Sequence, residues 1–153
     1  MLGYPKQKIN VLLLENIHPQ AKKIFEQEGY KLKTLEKSLD EEALCEAIKD
    51  IHILGIRSKT QVTAKVIASA KHLWVIGAYC IGTNQIDLTA CAQHGVSVFN
   101  APYSNTRSVV ELAIGEMIAL SRRLTVGNQQ MHEGKWSKTA IGCHELRGKT
   151  LGI

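Results

Sequence analysis

Ile9-Asn-Val-Leu-Leu-Leu14 is a nearly continuous apolar run, and the fold turns on how it is read. A strand covered on both faces of a parallel sheet needs such a run, because neither of its alternating sets of side chains meets water. The run is therefore expected to sit centrally in a sheet. Working outward, Pro19 suits a first helical position, Ala21, Ile24 and Phe25 make an apolar side, and Gly29 suits a left-handed C-terminal cap. Tyr30–Leu35 reads as a weaker second strand. Ser38 and Glu41 then stand at capping-box spacing before a helix with Leu44, Ala47 and Ile48 on one face. His52–Ile56 is a third strand, and Thr63 caps a short helix carrying Val66, Ile67 and Ala70. Leu73–Ile76 is a fourth strand, Asp87 caps a helix with Leu88, Cys91 and Ala92 that Gly95 ends, and Val96–Phe99 is a fifth. The alternation predicts an α/β domain over residues 1–101, a flavodoxin-like open parallel sheet of five strands with helices on both faces. In such a sheet the ligand crevice lies at the carboxyl ends of the strands.

The pattern changes after Pro102. Ser108 and Glu111 again have capping-box spacing, and Val109, Val110, Leu112, Ile114, Met117, Ile118 and Leu120 leave the following helix little polar face. A helix apolar nearly all round needs burial. The first domain is complete without it, so burial is expected against a further domain or another chain. Residues 123–147 read as a second helix ending near Glu133-Gly134, followed by an irregular arm through Trp136.

A chain of 153 residues, 44% of them hydrophobic, buries one ordinary core with an extension. No apolar run approaches the roughly 20 residues of a membrane span, and the N-terminus lacks a signal-peptide core, so a cytoplasmic protein without membrane contact is expected. The four cysteines, Cys45, Cys80, Cys91 and Cys143, lie far apart with no metal-site spacing, and read as reduced and mostly buried. Nineteen basic and 14 acidic residues give a net charge of +5, which suits an anionic small molecule or a nucleic acid equally. No aromatic residues interleave with a basic stripe, which argues against nucleic acid.

Chemistry in this fold belongs to strand ends. Arg57, at the end of the third strand with Ser58 beside it, presents a fixed fork of donors suited to a carboxylate or phosphate. After the fourth strand, Gly82 in Cys80-Ile81-Gly82-Thr83-Asn84 lets a ligand approach backbone N–H groups, a small anion nest. Two other proteins of this topology fit poorly. A phospho-accepting receiver needs an acidic cluster after the first strand and an aspartate after the third, where this chain has Glu15 and Arg57. A flavodoxin needs a hydroxyl-rich phosphate loop where this chain has Glu15-Asn-Ile-His-Pro19.

Two motifs, Gly77-Ala-Tyr-Cys-Ile-Gly-Thr-Asn-Gln-Ile-Asp87 and Phe99-Asn-Ala-Pro-Tyr-Ser-Asn-Thr-Arg-Ser-Val-Val-Glu111, resemble the ligand loop and hinge of the D-isomer-specific 2-hydroxyacid dehydrogenases, in particular their phosphoglycerate branch. The resemblance runs from about residue 8 to the end. It implies a substrate-binding set of Arg57 and Ser58, of Ile81 and Gly82 through their backbone, and of Asn105 at the hinge. Lys37 and Lys138 match basic positions used for a phosphorylated substrate, and Ile81 lies where the family's nicotinamide approaches. It also implies a homo-oligomer formed through residues 102–147, with Lys138 on the arm that crosses to the partner. Gly148-Lys-Thr-Leu-Gly-Ile153 matches the first strand of the family's Rossmann nucleotide-binding domain, whose glycine-rich turn comes next.

The family's hydride-transfer arginine, glutamate and histidine lie in the later half of the longer enzyme and have no counterpart in these residues. His18, His52, His72, His94, His132 and His144 fall outside the matching motifs. The resemblance therefore implies an N-terminal portion, residues 1–101 lacking their closing segment, 102–147 an arm and 148–153 the start of a nucleotide domain. The intact family uses NAD to oxidise a phosphorylated 2-hydroxy acid. This chain alone is expected to bind no cofactor and to be inactive, whether it arises by truncation, a shifted frame or excision. A non-catalytic partner that pairs with an intact dehydrogenase is the alternative, as is a portion of a relative acting on glycerate, glyoxylate, lactate or formate.

Overall fold

A computed structural model describes residues 4–152, which divide into two compact units, one ending at Ser104 and one beginning at Asn105. In the first unit strands and helices alternate: β1 (Asn10–Leu13), α1 (Pro19–Gln27), β2 (Lys31–Thr34), α2 (Glu41–Ala47), β3 (Ile53–Ile56), α3 (Ala64–Ser69), β4 (Val75–Ala78), α4 (Leu88–Gln93) and β5 (Ser97–Asn100). The five strands form one sheet in the order β2-β1-β3-β4-β5, and every pair is parallel. The Ile9–Leu14 run is thus an interior strand beside the edge strand β2, while β3 holds the centre.

Alternation along β1 sends its side chains into two cores. Leu12 and Leu14 join Leu44, Ile48, Leu54, Val66, Ile67, Ile76 and Cys91 in the larger core under α2, α3 and α4. Val11 and Leu13 join Ile9 in a smaller one, against which Ala21 and Phe25 of α1 pack. The edge strands are less covered, and Phe99 on β5 is exposed.

Several local readings hold. Pro19 opens α1, Gly29 has φ +82, Thr63 Oγ1 accepts the Val66 N–H, Asp87 Oδ1 accepts the Ala90 N–H, and Gly95 has φ +69. Others need correction. The cap of α2 is Asp40, whose Oδ1 accepts the Ala43 N–H at 2.8 Å, so Ser38 plays no part. Glu41, expected to complete that box, instead reaches α3, pairing with Lys65 at 2.9 Å and accepting from Thr63 Oγ1 at 2.9 Å. Strand β4 begins and ends two residues later than expected, because its register follows β3: Ile53 lies opposite Val75 and Ile56 opposite Ala78. Ile24 is 50% exposed and Leu88 48%, so neither completes an apolar contact face. Of the cysteines, Cys45 and Cys91 are buried and Cys80 and Cys143 half-buried.

In the second unit α5 (Thr106–Ser121) leads through Arg123, at φ +53, into α6 (Leu124–His132), and Gly134 follows at φ +72. The Ser108/Glu111 box does not form. Asn105 is the N-cap without a side-chain bond, and Glu111 instead faces Arg107 at 3.8 Å, one turn away. No residue of α5 is buried, and Leu112 and Leu120 are 64% and 74% exposed. Residues 135–147 are largely irregular, with a turn at 141–142, and are anchored where Ser121 C=O accepts the His144 N–H and Ile141 C=O accepts from Arg123 Nη1. The strand expected over residues 148–153 is not formed in residues 148–152, since a strand requires a ladder and none of the described residues pairs with them; Ile153 lies outside the described residues.

At the amino end of the sheet, His52 is buried with its Nδ1 accepting the Asn10 N–H at 3.1 Å and Trp74 edge-on at 4.7 Å. Burial first, and the stacked His72 second, lower its pKa from 6.5 against the opposing pull of Asp50. A proton added at Nδ1 would face a donor with a donor. The unfolded chain therefore binds more protons here, and stability declines as pH falls below 6.5. Urea midpoints measured across that range should flatten in His52→Gln, whose amide oxygen still accepts the Asn10 N–H. An unchanged profile removes His52 as the cause.

Candidate substrate-binding cleft

Loops at the carboxyl ends of β1, β2 and β3 line a cleft of about 620 Å³: Glu15 and Asn16 from the first, Glu36, Lys37 and Ser38 from the second, Arg57, Ser58 and Lys59 from the third. The parallel topology causes this meeting. Lys37 and Arg57 stand 20 positions apart in sequence, yet β2 and β3 both flank β1 and end at the same level. Three of the expected residues, Lys37, Arg57 and Ser58, are thereby brought together, and all three are exposed to the cleft. Among the described residues, neither Lys37 nor Arg57 makes an ion pair.

Two carboxylates share this lining with three cations, and how far they offset them depends on where they point. Glu15 is 7% exposed and turned inward. Its Oε1 accepts the N–H groups of Arg57 at 3.2 Å and Thr60 at 2.9 Å, and its Oε2 accepts that of Lys59 at 3.0 Å. Burial pushes its carboxyl up, but the Thr60 hydroxyl dipole and the N–H groups of Thr60, Lys59 and Arg57 outweigh that and hold it below 4.5. Thr60 Oγ1 is buried without a partner of hydrogen-bond geometry among the described residues, so the three N–H bonds are the firmer contribution. Glu15 stays ionised with its charge directed at the loop amides, and Lys37, Arg57 and Lys59 together outnumber Glu15 and Glu36, so the cleft favours an anion.

Ile81 and Gly82 lie on the next loop, after β4, and do not line this cleft. They are joined to it by Gln85, 3% exposed, whose Nε2 donates to Arg57 C=O at 2.9 Å and to Gly82 C=O at 3.3 Å. Ile81 C=O is occupied by Asn100 Nδ2 at 2.7 Å. At Gly82 an added Cβ would come within 2.8 Å of Asn84 Oδ1, the end of a side chain that would have to turn aside. Asn105 and Lys138 belong to the second unit. Asn105 sits at the start of α5 with a side chain that caps nothing, and Lys138 is exposed on the irregular arm.

Sequence reasoning missed Glu15, Gln85 and Asn100. A charge directly after an apolar strand was the visible sign for Glu15. Gln85 and Asn100 gave none, because a polar residue in a loop looks the same whether it faces water or a carbonyl. A second hollow of about 500 Å³ within Asn105–Ile153 is lined mainly by apolar groups such as Met117, Leu120, Leu146 and Leu151, and offers burial rather than chemistry. Among the described residues no group of three or more His, Cys, Asp or Glu side chains could hold a metal ion, and no helix is long and apolar enough to cross a membrane.

At the position named for the cofactor, Ile81 is exposed and its carbonyl is already bonded to Asn100 Nδ2.

Comparison with known proteins agrees with the fold and the motifs. D-3-phosphoglycerate dehydrogenase of Dictyostelium discoideum is 52% identical over 151 residues, covering 99% of this chain and 37% of the relative. The enzyme of the same name from Escherichia coli K12 is 49% identical over 149 residues, covering 97% and 36%. The chain thus spans about a third of the length of these curated relatives. Among solved structures, the apo D-lactate dehydrogenase of Escherichia coli shares the fold, with a TM-score of 0.71 at 23% identity over 93% of this chain and 47% of that one. The NAD+-bound 3-phosphoglycerate dehydrogenase of Entamoeba histolytica gives 0.66 at 27% identity over 75% and 40%. Residues 11–148 match the family model for the D-isomer specific 2-hydroxyacid dehydrogenase catalytic domain, and so the chain belongs to the D-isomer-specific 2-hydroxyacid dehydrogenase family.

Proposed function

We propose that this chain supplies the substrate-binding part of an NAD-dependent D-3-phosphoglycerate dehydrogenase, and that the cleft at the ends of β1, β2 and β3 receives the phosphorylated 2-hydroxy acid. The observation that carries the reading is the convergence of Lys37, Arg57 and Ser58 on one cleft whose buried carboxylate is turned to backbone N–H donors. The planar fork of Arg57 holds one anionic group bidentately, Lys37 acts as a second point charge, and Ser58 adds a hydroxyl. Ile81 and Gly82 offer backbone amides for the carboxylate end. Asn105 and Lys138 are the further candidates for contact with the acid, Lys138 from the arm of a partner chain, with residues 102–147 forming the homo-oligomer.

In this reading the 153 residues bind and orient the acid but do not oxidise it. Hydride transfer needs substrate, cofactor and an acid/base group held together, and these residues offer only the first. The test is direct binding: 3-phosphoglycerate titrated into the isotope-labelled chain, followed by nuclear magnetic resonance. Losing charge-assisted hydrogen bonds, Arg57→Ala should weaken binding by about tenfold to a hundredfold, and the surface change Lys71→Ala by less than about twofold. Equal effects of the two substitutions remove Arg57 from the site.

A further inference from the structure

Resting on that reading of the cleft, we propose that Glu15 and Gln85 are positioning residues of the site: between them they grip the Arg57 backbone by its N–H and its C=O, and so set where Lys37, Ser58 and Gly82 stand around the bound acid. Glu15 acts on two neighbours at once. Its carboxylate takes the N–H groups of Arg57, Lys59 and Thr60, which shapes the loop after β3. Its own N–H donates to Lys37 C=O, and that of Asn16 to Leu35 C=O, both at 3.4 Å, which holds the end of β2.

Both grips depend on backbone that side chains rarely adopt. Glu15 has φ +63 and Asn16 φ +50, two consecutive left-handed residues that are not glycine. Such conformations persist only where the surroundings over-determine them, and they gather at functional sites. A buried carboxylate is also costly unless donors surround it. Here the donors are the amides of the loop that carries Arg57 and Ser58.

Gln85 works from the other side. Its Nε2 reaches Arg57 C=O at 2.9 Å, Gly82 C=O at 3.3 Å and Cys80 Sγ at 3.3 Å, so one buried amide ties the loop after β3 to the loop after β4. Glu15 borders the cleft with its carboxylate bonded to the loop amides, and Gln85 does not line it. Their influence on binding runs through Arg57.

The experiment uses the labelled chain with 3-phosphoglycerate as probe, comparing wild type with Glu15→Gln, Glu15→Asp, Gln85→Ala and Arg57→Ala. In Glu15→Gln one oxygen remains to accept, while the new amide group faces the Lys59 N–H donor to donor. The Arg57, Lys59 and Thr60 amide resonances should move upfield, and the affinity should fall about tenfold while the fold is kept. Glu15→Asp keeps the charge one methylene short of the amides and should not restore the affinity. Gln85→Ala alters no charge, should weaken binding as well, and decides the matter alone if the Glu15 variants fail to fold. If Glu15→Gln and Gln85→Ala lower only the melting temperature and leave the affinity within about twofold of wild type, while Arg57→Ala abolishes binding, this inference is overturned and the cleft keeps its function. If Arg57→Ala leaves binding intact, or the wild-type Arg57 and Gly82 amides ignore the probe, the acid-binding reading falls and the inference with it.

Discussion

Leu54→Ala is expected to lower the unfolding free energy by about 3 to 4 kcal/mol, and Leu88→Ala by less than about 0.5 kcal/mol. Leu54 lies on the central strand β3, has no exposed surface and packs in the larger core with Leu12 and Ile76. Removing its side chain takes away transfer free energy and leaves a cavity that paired strands on both sides cannot collapse into. Domains of this size hold a net stability of about 5–15 kcal/mol, so the variant loses a large share of the total. Leu88, at the start of α4, is 48% exposed and its truncation opens no cavity. Urea denaturation of the two variants checks the contrast. A loss under about 1 kcal/mol at Leu54 contradicts a close-packed core at that position.

The second large effect concerns association. The purified chain is expected to self-associate in light scattering, and the double substitution Leu112→Lys with Leu120→Lys to shift it toward monomer. Val109, Val110, Leu112, Ile114, Ile118 and Leu120 are each between 42% and 74% exposed, on one helix of 16 residues. Apolar surface returns about 25 cal/mol for each Å² removed from water, so this many exposed apolar side chains on one helix favour a partner. Two lysines add charges that an apolar interface would have to desolvate. A wild-type chain that runs as a monomer contradicts oligomerisation through residues 102–147. If such a monomer is captured by an intact dehydrogenase in a pull-down, the reading as a non-catalytic partner gains, and if it is not, that alternative is lost as well.

The first unit was legible to different depths. All five strands and their intervening helices follow from apolar runs and caps, because the pleat and the helical turn are local geometries that write their period into the chain. Pro19, Thr63, Asp87, Gly29 and Gly95 announced helix ends for the same reason. The α2 boundary shows where this fails: Ser38 and Asp40 both suit a cap, and the selection of Asp40 left Glu41 free to bind Lys65 and Thr63 on α3. The limits of β4 fail likewise, since register is a property of the pair of strands and not of either one.

The cleft divides along the same line. Arg57 and Ser58 stood out as strand-end residues, and the motifs brought in Lys37, Ile81, Gly82, Asn105 and Lys138. Only three of these, Lys37, Arg57 and Ser58, line one cleft, and the residues that hold them in place were not visible. Glu15 meets Arg57, Lys59 and Thr60 across 42 to 45 positions of sequence, and Gln85 meets Arg57 across 28. By itself the sequence determined the class of fold, the order and type of its elements and which strand end carries an arginine, because periodicity, capping and chain order are local. Only the tertiary structure decided which leucines are covered, that the Glu15 carboxylate is turned to backbone amides, and that three cations and two carboxylates meet in one cleft. Burial and hydrogen-bond pairing depend on which distant segments the sheet brings side by side.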